Sequence, residues 1–478
     1  MLDVNRFLLC DTALYGRLLE ILAGAHLADC TRLLELTLEL FQCALDILTF
    51  FYLYYNHSFI TPFSFKDCKG RKKIHNSSLN INFFLHLCKN NFVSRVDSPF
   101  VYNRPVTGRY FIGRKTECAL LTNLLRDGEN IVMYEPPKSG KDSLLQQVFF
   151  NMKLETKQFR VARLSLLNIR DVSEFCLYLG SELLKVYGTT PQDYISLVAE
   201  NLGDTHFVFD QAEWQESGRV LSLSWDIDDE DIRAIVTLPY RLAQQGGNRL
   251  YVCLDEFQCV MLTGEGDRIC RIMQESFKAR TQDDRFSASY ILYGSQINAM
   301  AEIFARRRLF HRQVERVQFE AIDSKEIADS VNRGFLSSGK VIDRNLMMGV
   351  CELFRSNIYY INYFASICDS LSRGYMMEPV LNEALECLLA LHEPQFKAVM
   401  MDLTTFQVGL LRAVVDGYTR FSSSEVIRKY SLNSSANVRR LKDALCKKEI
   451  LFFDDEDLPH IIDPLFEYWV TKYYFEIK

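Results

Sequence analysis

The segment Glu135-Pro136-Pro137-Lys138-Ser139-Gly140-Lys141-Asp142-Ser143 follows a short apolar run, Ile131–Tyr134. A glycine and a lysine at that place suit phosphate chemistry. The glycine lets backbone N–H groups approach an anion, and the lysine reaches the terminal phosphate oxygens. In the pattern G-x-x-x-x-G-K-[ST], Gly140 and Lys141 are in register, but Glu135 replaces the first glycine and Asp142 the magnesium-binding hydroxyl. Two unit charges about 5 Å apart at an effective dielectric near 20 repel by roughly 3 kcal/mol. Left uncompensated, that weakens nucleotide binding about a hundredfold. A magnesium ion between the Asp142 carboxylate and phosphate offsets it. Ser143 is the nearest hydroxyl, one position late on the helix and about 100° away. Candidate phosphate-side residues are therefore Pro137, Lys138, Ser139, Gly140, Lys141, Asp142 and Ser143, with Asp142, Ser143 and Asp255 as magnesium ligands. A second reading stays open: a relic loop that keeps the fold and holds sulfate or nothing.

The second chemical segment is Leu250-Tyr251-Val252-Cys253-Leu254-Asp255-Glu256-Phe257-Gln258. An apolar strand ending in two acids places Asp255 to hold magnesium through water and Glu256 to polarise an attacking water. Tyr290–Tyr293 ends in Gly294-Ser295-Gln296, a polar strand end able to sense a γ-phosphate through Ser295. Glu256, Asp255 and Ser295 are the candidate catalytic residues, and ATP and Mg2+ the expected cofactors.

Strands alternating with helices must position these groups. Ile131–Tyr134, Phe159–Leu166, Leu250–Leu254, Ala288–Tyr293 and Arg316–Phe319 have strand character. Helices are predicted from Asp142 to about Lys153, after the N-cap Asp171 to about Tyr187, and from Asp228 to the Gly246-Gly247 stop. The alternation implies an α/β fold with a parallel sheet covered on both faces. Beyond Glu320 the pattern turns helical, and Thr404–Tyr474 gives three helices and two short strands. The expected domains are a core over 98–320, a helical lid over 321–401 and a winged helix-turn-helix over 402–478.

Composition bounds the partners. The 478-residue chain carries a net charge of -6, which gives no global attraction to nucleic acid or anionic lipid. Its 14 cysteines show no metal-ligand spacing, and a cytoplasmic, reducing location is expected. Residues 1–97 differ in composition and are expected to be a helical or poorly ordered appendage of unknown role or an over-extended reading frame. Within them, Leu33–Tyr55 is apolar but carries Glu35, Glu39 and Asp46. A spanning helix needs about 20 predominantly apolar residues, so no membrane partner is expected. The C-terminal region differs in charge: Arg420–Lys448 has eight basic and two acidic residues. Its last helix, Ser435–Lys448, offers Asn437, Arg439, Arg440 and Lys442 to bases or phosphates. The acidic wing, Asp454-Asp455-Glu456-Asp457, repels phosphates and leaves a protein partner equally open.

Pro99–Tyr102, Tyr110–Arg114, Leu238–Ala243, Asp255–Gln258, Tyr293–Ser295 and Phe304–Arg316 together resemble the archaeal-type P-loop ATPases of the AAA+/STAND group, over roughly residues 98–478. That resemblance implies a parallel-sheet AAA+-type core, a helical lid and a C-terminal winged helix. It implies an adenine-side segment around Phe111–Arg114, hence Gly113 and Arg114 as cofactor-binding residues. It also implies a γ-phosphate-sensing or inter-subunit arginine among Arg306, Arg307, Arg308, Arg312 and Arg316, which leaves an oligomer open. Asn357-Ile358-Tyr359-Tyr360-Ile361 resembles the lid motif G-[NH]-P-Y-Y-[LI], with Arg355, Ser356 and Ile358 departing from it. Two functions follow as expectations: an ATP-dependent switch acting on the winged helix, or a catalytically weak or inactive adaptor that binds DNA or protein through it.

Overall fold

The computed structural model describes residues 98–477, apart from 156, 157 and 455. Everything expected of residues 1–97, including the Leu33–Tyr55 helix, lies outside the described residues.

Five parallel strands form one sheet in the order β2-β5-β6-β1-β7, where β1 is Ile131–Tyr134, β2 Phe159–Ser165, β5 Arg249–Asp255, β6 Ala288–Gly294 and β7 Glu315–Arg316. Side chains alternate between faces, as strand geometry requires. Ile131, Met133, Tyr251, Cys253, Ile291 and Tyr293 pack on the helix Lys141–Glu155. Val132, Tyr134, Val252, Leu254 and Leu292 face the other way, onto helices Val172–Tyr187, Asp229–Gly246 and Gly266–Ala279. Both faces are thus covered, which explains why β1 and β6 are buried at every position and rich in apolar residues.

Two sequence expectations shift. The fifth strand is expected at Arg316–Phe319 but pairs only over Glu315–Arg316. The reason lies in its neighbour: β1 ends at Tyr134, so beyond Val317, which donates to the Val132 carbonyl at 3.0 Å, the Phe319 N–H finds the Glu135 carboxylate instead. An unexpected antiparallel pair, β3 Phe207–Phe209 with β4 Leu221–Leu223, lies outside the main sheet. Three-residue strands are too short to show a period in the sequence.

The remaining chain is helical from Ser324 to Met401, interrupted by a short parallel pair, Val341–Ile342 with Tyr375–Met376. Three helices (Thr405–Val415, Ser424–Lys429, Ser435–Lys447) and the hairpin Leu451–Phe453/Pro459–Ile461 follow. Their starts are capped by the Thr404, Ser423 and Ser434 side chains. Phe364, Leu388, Leu411, Leu445, Leu465 and Trp469 belong to one hydrophobic cluster, so this whole C-terminal half shares a core.

Candidate nucleotide site and its link to the winged helix

The Glu135–Gly140 loop joins the end of β1 to the helix Lys141–Glu155, at the carboxyl ends of the strands. Gly140 adopts φ +91°, a conformation that favours glycine. Glu135 is not among the left-handed positions, so its place does not demand glycine. Its carboxylate turns to the sheet edge and accepts the Phe319 N–H at 3.0 Å. Burial pushes its pKa up, and the amide of Phe319 and the cations Arg316, Lys141 and Arg114 oppose that rise. The missing first glycine is therefore a residue with a structural task.

Lys141 is buried, and its Nζ donates to the carbonyls of Glu135 (2.8 Å) and Pro136 (3.0 Å). Burial lowers its pKa, while Glu256, Glu135, Asp255 and Asp142 hold the charge in place. Asp142 accepts a hydrogen bond from the Tyr293 hydroxyl at 3.2 Å. Asp255 ends β5, and burial with the neighbouring Asp142 and Glu256 charges pushes its pKa up to about 6. Glu256 sits just past the strand at φ +52°, its carboxylate held by Ser295, through N–H (3.3 Å) and Oγ (3.0 Å), and by the Gln258 amide. The structure thus gathers Lys141, Asp142, Asp255, Glu256 and Ser295 in one place. The charges of Asp142 and Glu256 lie close enough to raise the Asp255 pKa, and all three acids act on the buried Lys141.

Ser143 is placed differently. Its Oγ accepts the Val106 N–H at 3.1 Å and so ties down the incoming segment. Gly113 takes φ +69°, and a Cβ there would meet the Ile322 side chain at 2.6 Å. Arg114 follows at φ +54° and donates to the Ser139 carbonyl (3.3 Å), the Glu320 carbonyl (3.2 Å) and Glu117 (3.1 Å). It clamps the loop from outside. Between these parts lies a cleft of about 300 Å³ whose walls include Tyr102, Phe111, Arg114, Tyr359 and residues 138–143. Ser139 contributes a buried hydroxyl with no hydrogen-bond partner.

Among the candidate arginines, Arg306 pairs with Glu302 and Arg307 with Asp267, while Arg316 stacks on the Tyr134 ring at 4.1 Å. Arg308 and Arg312 make no ion pair among the described residues and take φ +52° and +59°.

Lys138 carries a connection that its sequence position does not reveal. Its Nζ lies 3.1 Å from the Tyr360 hydroxyl and over the rings of Tyr359 and Tyr360 at 4.7 and 4.8 Å. The Tyr360 hydroxyl in turn donates to Asp463 at 2.6 Å. Asp463 caps the helix Pro464–Trp469, which follows the hairpin. A second contact runs from the Ser295 strand end. Glu449, between the last basic helix and the hairpin, accepts the N–H groups of Asn298 (3.2 Å) and Ala299 (3.1 Å), and Asn298 donates to the Leu451 carbonyl at 2.8 Å. Arg355 adds a third, to the Ile461 carbonyl and to Glu467. Tyr360 stands in the quoted lid motif and Asp463-Pro464 has the form of a helix start, so each had a local signal. Glu449 had none.

On the basic helix, Arg439 and Arg440 are exposed. Asn437 instead spends its amide on the Leu432 carbonyl at 3.0 Å. Lys442 pairs with Asp457 of the wing at 2.7 Å and lies over the Phe453 ring. Asp454 ties the wing together through the Glu456 and Leu458 N–H groups and His460. Half of the acidic wing therefore serves the local structure.

A family model described as a probable winged helix domain matches residues 394–472. Among solved structures, a Walker-type ATPase of Pyrococcus abyssi is similar over 77% of this chain and 99% of its own, with a TM-score of 0.54 and 16% identity. The ORC2 protein of Aeropyrum pernix, in its ADPNP-ADP complexes, aligns over 77% of this chain and 93% of its own, with a TM-score of 0.49 and 13% identity. No curated protein sequence matches. Among the described residues no helix is long and apolar enough to cross a membrane.

Proposed function

We propose that this chain, which has the fold of an AAA+-type P-loop ATPase core joined to a C-terminal winged helix, is a nucleotide-dependent switch. ATP with Mg2+ is its ligand, in the cleft bounded by Arg114 and residues 138–143, with Gly113 and Pro137 next to its walls in the chain. The observation that carries this reading is the chain of contacts Lys138–Tyr360–Asp463, which ties the phosphate loop to the winged helix.

The residues fit such a ligand. Gly140 and the buried Lys141 provide the anion side, and Asp142 and Asp255 the cation side. When bound, magnesium-ATP supplies a polyphosphate and a divalent cation. Lys141 exchanges the Glu135 and Pro136 carbonyls for an anion, which a lysine binds as a point charge. Lys138 has two competing uses: it rests on Tyr359 and Tyr360, or it neutralises phosphate. Only the first use supports the Tyr360–Asp463 contact electrostatically. The state of the loop therefore biases how firmly the winged helix is held, as a two-state coupling requires.

Asp142 in the hydroxyl position and a Glu256 carboxylate held by three donors favour slow turnover over rapid hydrolysis. Released from the core, Arg439 and Arg440 are the residues that contact DNA phosphates; an absence of DNA binding would assign the same helix to a protein partner. Hydrogen exchange of residues 394–472 with and without magnesium-ATP tests the switch. Faster exchange at the hairpin on ATP addition is expected. Identical exchange, with ATP demonstrably bound, overturns it. Comparing ATP turnover with that of Glu256→Gln separates the ATPase from the non-hydrolysing adaptor.

A further inference from the structure

The face of the sheet away from the helix Lys141–Glu155 holds a second cavity, of about 320 Å³, among Arg233, Thr237, Tyr240, Arg241, Glu275 and Arg280, with Asp284 at its rim. It lies between the helices Asp229–Gly246 and Gly266–Ala279. Arg280 reaches from it to the Gly128 carbonyl (3.2 Å) and to Asn130 Oδ1 (3.1 Å), just before β1. The cavity is thus at the amino ends of the strands, the opposite end from the candidate nucleotide site.

Three polar atoms of its lining residues are buried and have no hydrogen-bond partner among the described residues: Tyr240 Oη, Arg241 Nε and Arg280 Nε. Tyr240 is only 4% exposed. Its hydroxyl approaches the Arg280 guanidinium, short of hydrogen-bond geometry. Arg241 makes a single bond, to the Ala234 carbonyl at 2.9 Å, and has no carboxylate partner. Burial alone pulls its pKa down.

The acids nearby are already engaged. Glu275 pairs with Arg233 at 3.0 Å, and Asp284 accepts the Thr281 N–H (2.9 Å) and the Gln244 amide (3.2 Å). Two guanidinium groups are left without a matching charge. A buried donor without an acceptor is destabilising, so three around one cavity call for a ligand rich in acceptors. A phosphate group offers several oxygens and negative charge, and guanidinium forks match its geometry. The volume sits at the lower end of small-molecule sites, roughly 300–1,000 Å³.

We propose that this cavity is a second anion site, separate from the phosphate loop, that takes the phosphate group of a small molecule through Arg241, Arg280 and Tyr240. The site does not depend on the function proposed above.

Calorimetric titration of the full chain carrying Lys141→Ala, which disables the loop, isolates this cavity. Inorganic phosphate and ribose 5-phosphate are the probes. Binding is expected to persist in that background and to weaken roughly tenfold or more when Arg241→Gln is added, the loss of a charge-assisted contact. Tighter binding of ribose 5-phosphate than of phosphate identifies a sugar-phosphate-like ligand; equal binding identifies free phosphate. Tyr240→Phe removes one oxygen from a buried ring, so it preserves the fold if Arg241→Gln does not. It should weaken phosphate binding several-fold without lowering the melting temperature of the ligand-free protein. Complete loss of phosphate binding in Lys141→Ala, or unchanged affinity in Arg241→Gln or Tyr240→Phe, overturns the proposal.

Discussion

The Tyr360 hydroxyl lies 2.6 Å from Asp463 Oδ2 and 3.1 Å from Lys138 Nζ, so one phenol joins the 135–140 loop to the winged helix. Tyr360 is 1% exposed, so its hydroxyl is shielded from solvent. Tyr360→Phe should cost about 1–3 kcal/mol, because Asp463 and Lys138 lose a partner in a desolvated place. Hydrogen exchange near Asp463 should accelerate. Unchanged exchange would show that the contact carries no coupling.

Lys141→Ala should weaken ATP binding by at least tenfold, since it removes the buried cation of the loop, whose Nζ rests on the Glu135 and Pro136 carbonyls. Fluorescent-ATP titration checks it. Unaltered affinity would move the nucleotide site elsewhere.

Asp142→Thr removes the neighbouring charge that, after burial, does most to raise the Asp255 pKa. Tighter magnesium-ATP binding is expected, as a repelling carboxylate leaves and a hydroxyl arrives. Weaker binding would make Asp142 itself a working metal ligand.

The pH dependence follows from Asp255, raised from an ordinary value of 3.8 to about 6. Between those values the folded protein binds more protons at this site than the unfolded chain. Its contribution to stability therefore falls as pH rises from about 4 through 6. Magnesium requires the carboxylate, so magnesium affinity should rise over the same window. Metal titrations at pH 5 and pH 7 giving equal affinities would refute the assignment of Asp255.

On the basic helix Arg439 and Arg440 are exposed, and Lys442 is engaged by the wing. Replacing Arg439 and Arg440 with Ala should lower the slope of log K against log salt by about 2 if both touch DNA phosphates. Asp457→Asn frees Lys442 and should raise that slope by about 1. A salt series by gel shift reads both. If neither variant changes the slope and the parent does not bind at low salt, the helix contacts protein.

The apolar runs Ile131–Tyr134 and Ala288–Tyr293, the glycine-lysine pair after the first and the two acids after Leu254 were sufficient to place the sheet and its carboxyl-end residues. Local chemistry decides such features: burial on both faces makes a strand apolar throughout, and caps such as Asp171, Thr404 and Ser434 act within three residues. What Ser143 and Glu135 do was not legible. Both stand at motif positions, yet their partners Val106 and Phe319 lie 37 and 184 positions away.

The sequence by itself determined the alternating α/β order, the capped helices of the C-terminal module and which residues carry charge at the strand ends. Only the tertiary structure decided where those charges are spent. Lys138 meets Tyr360 across 222 positions, and Asn298 meets Glu449 across 151. A period of two or 3.6 reports which face of an element is buried, not which distant element covers it. Hydrogen bonds between far-separated segments form only when packing brings their groups within about 3 Å, and no local pattern encodes that approach.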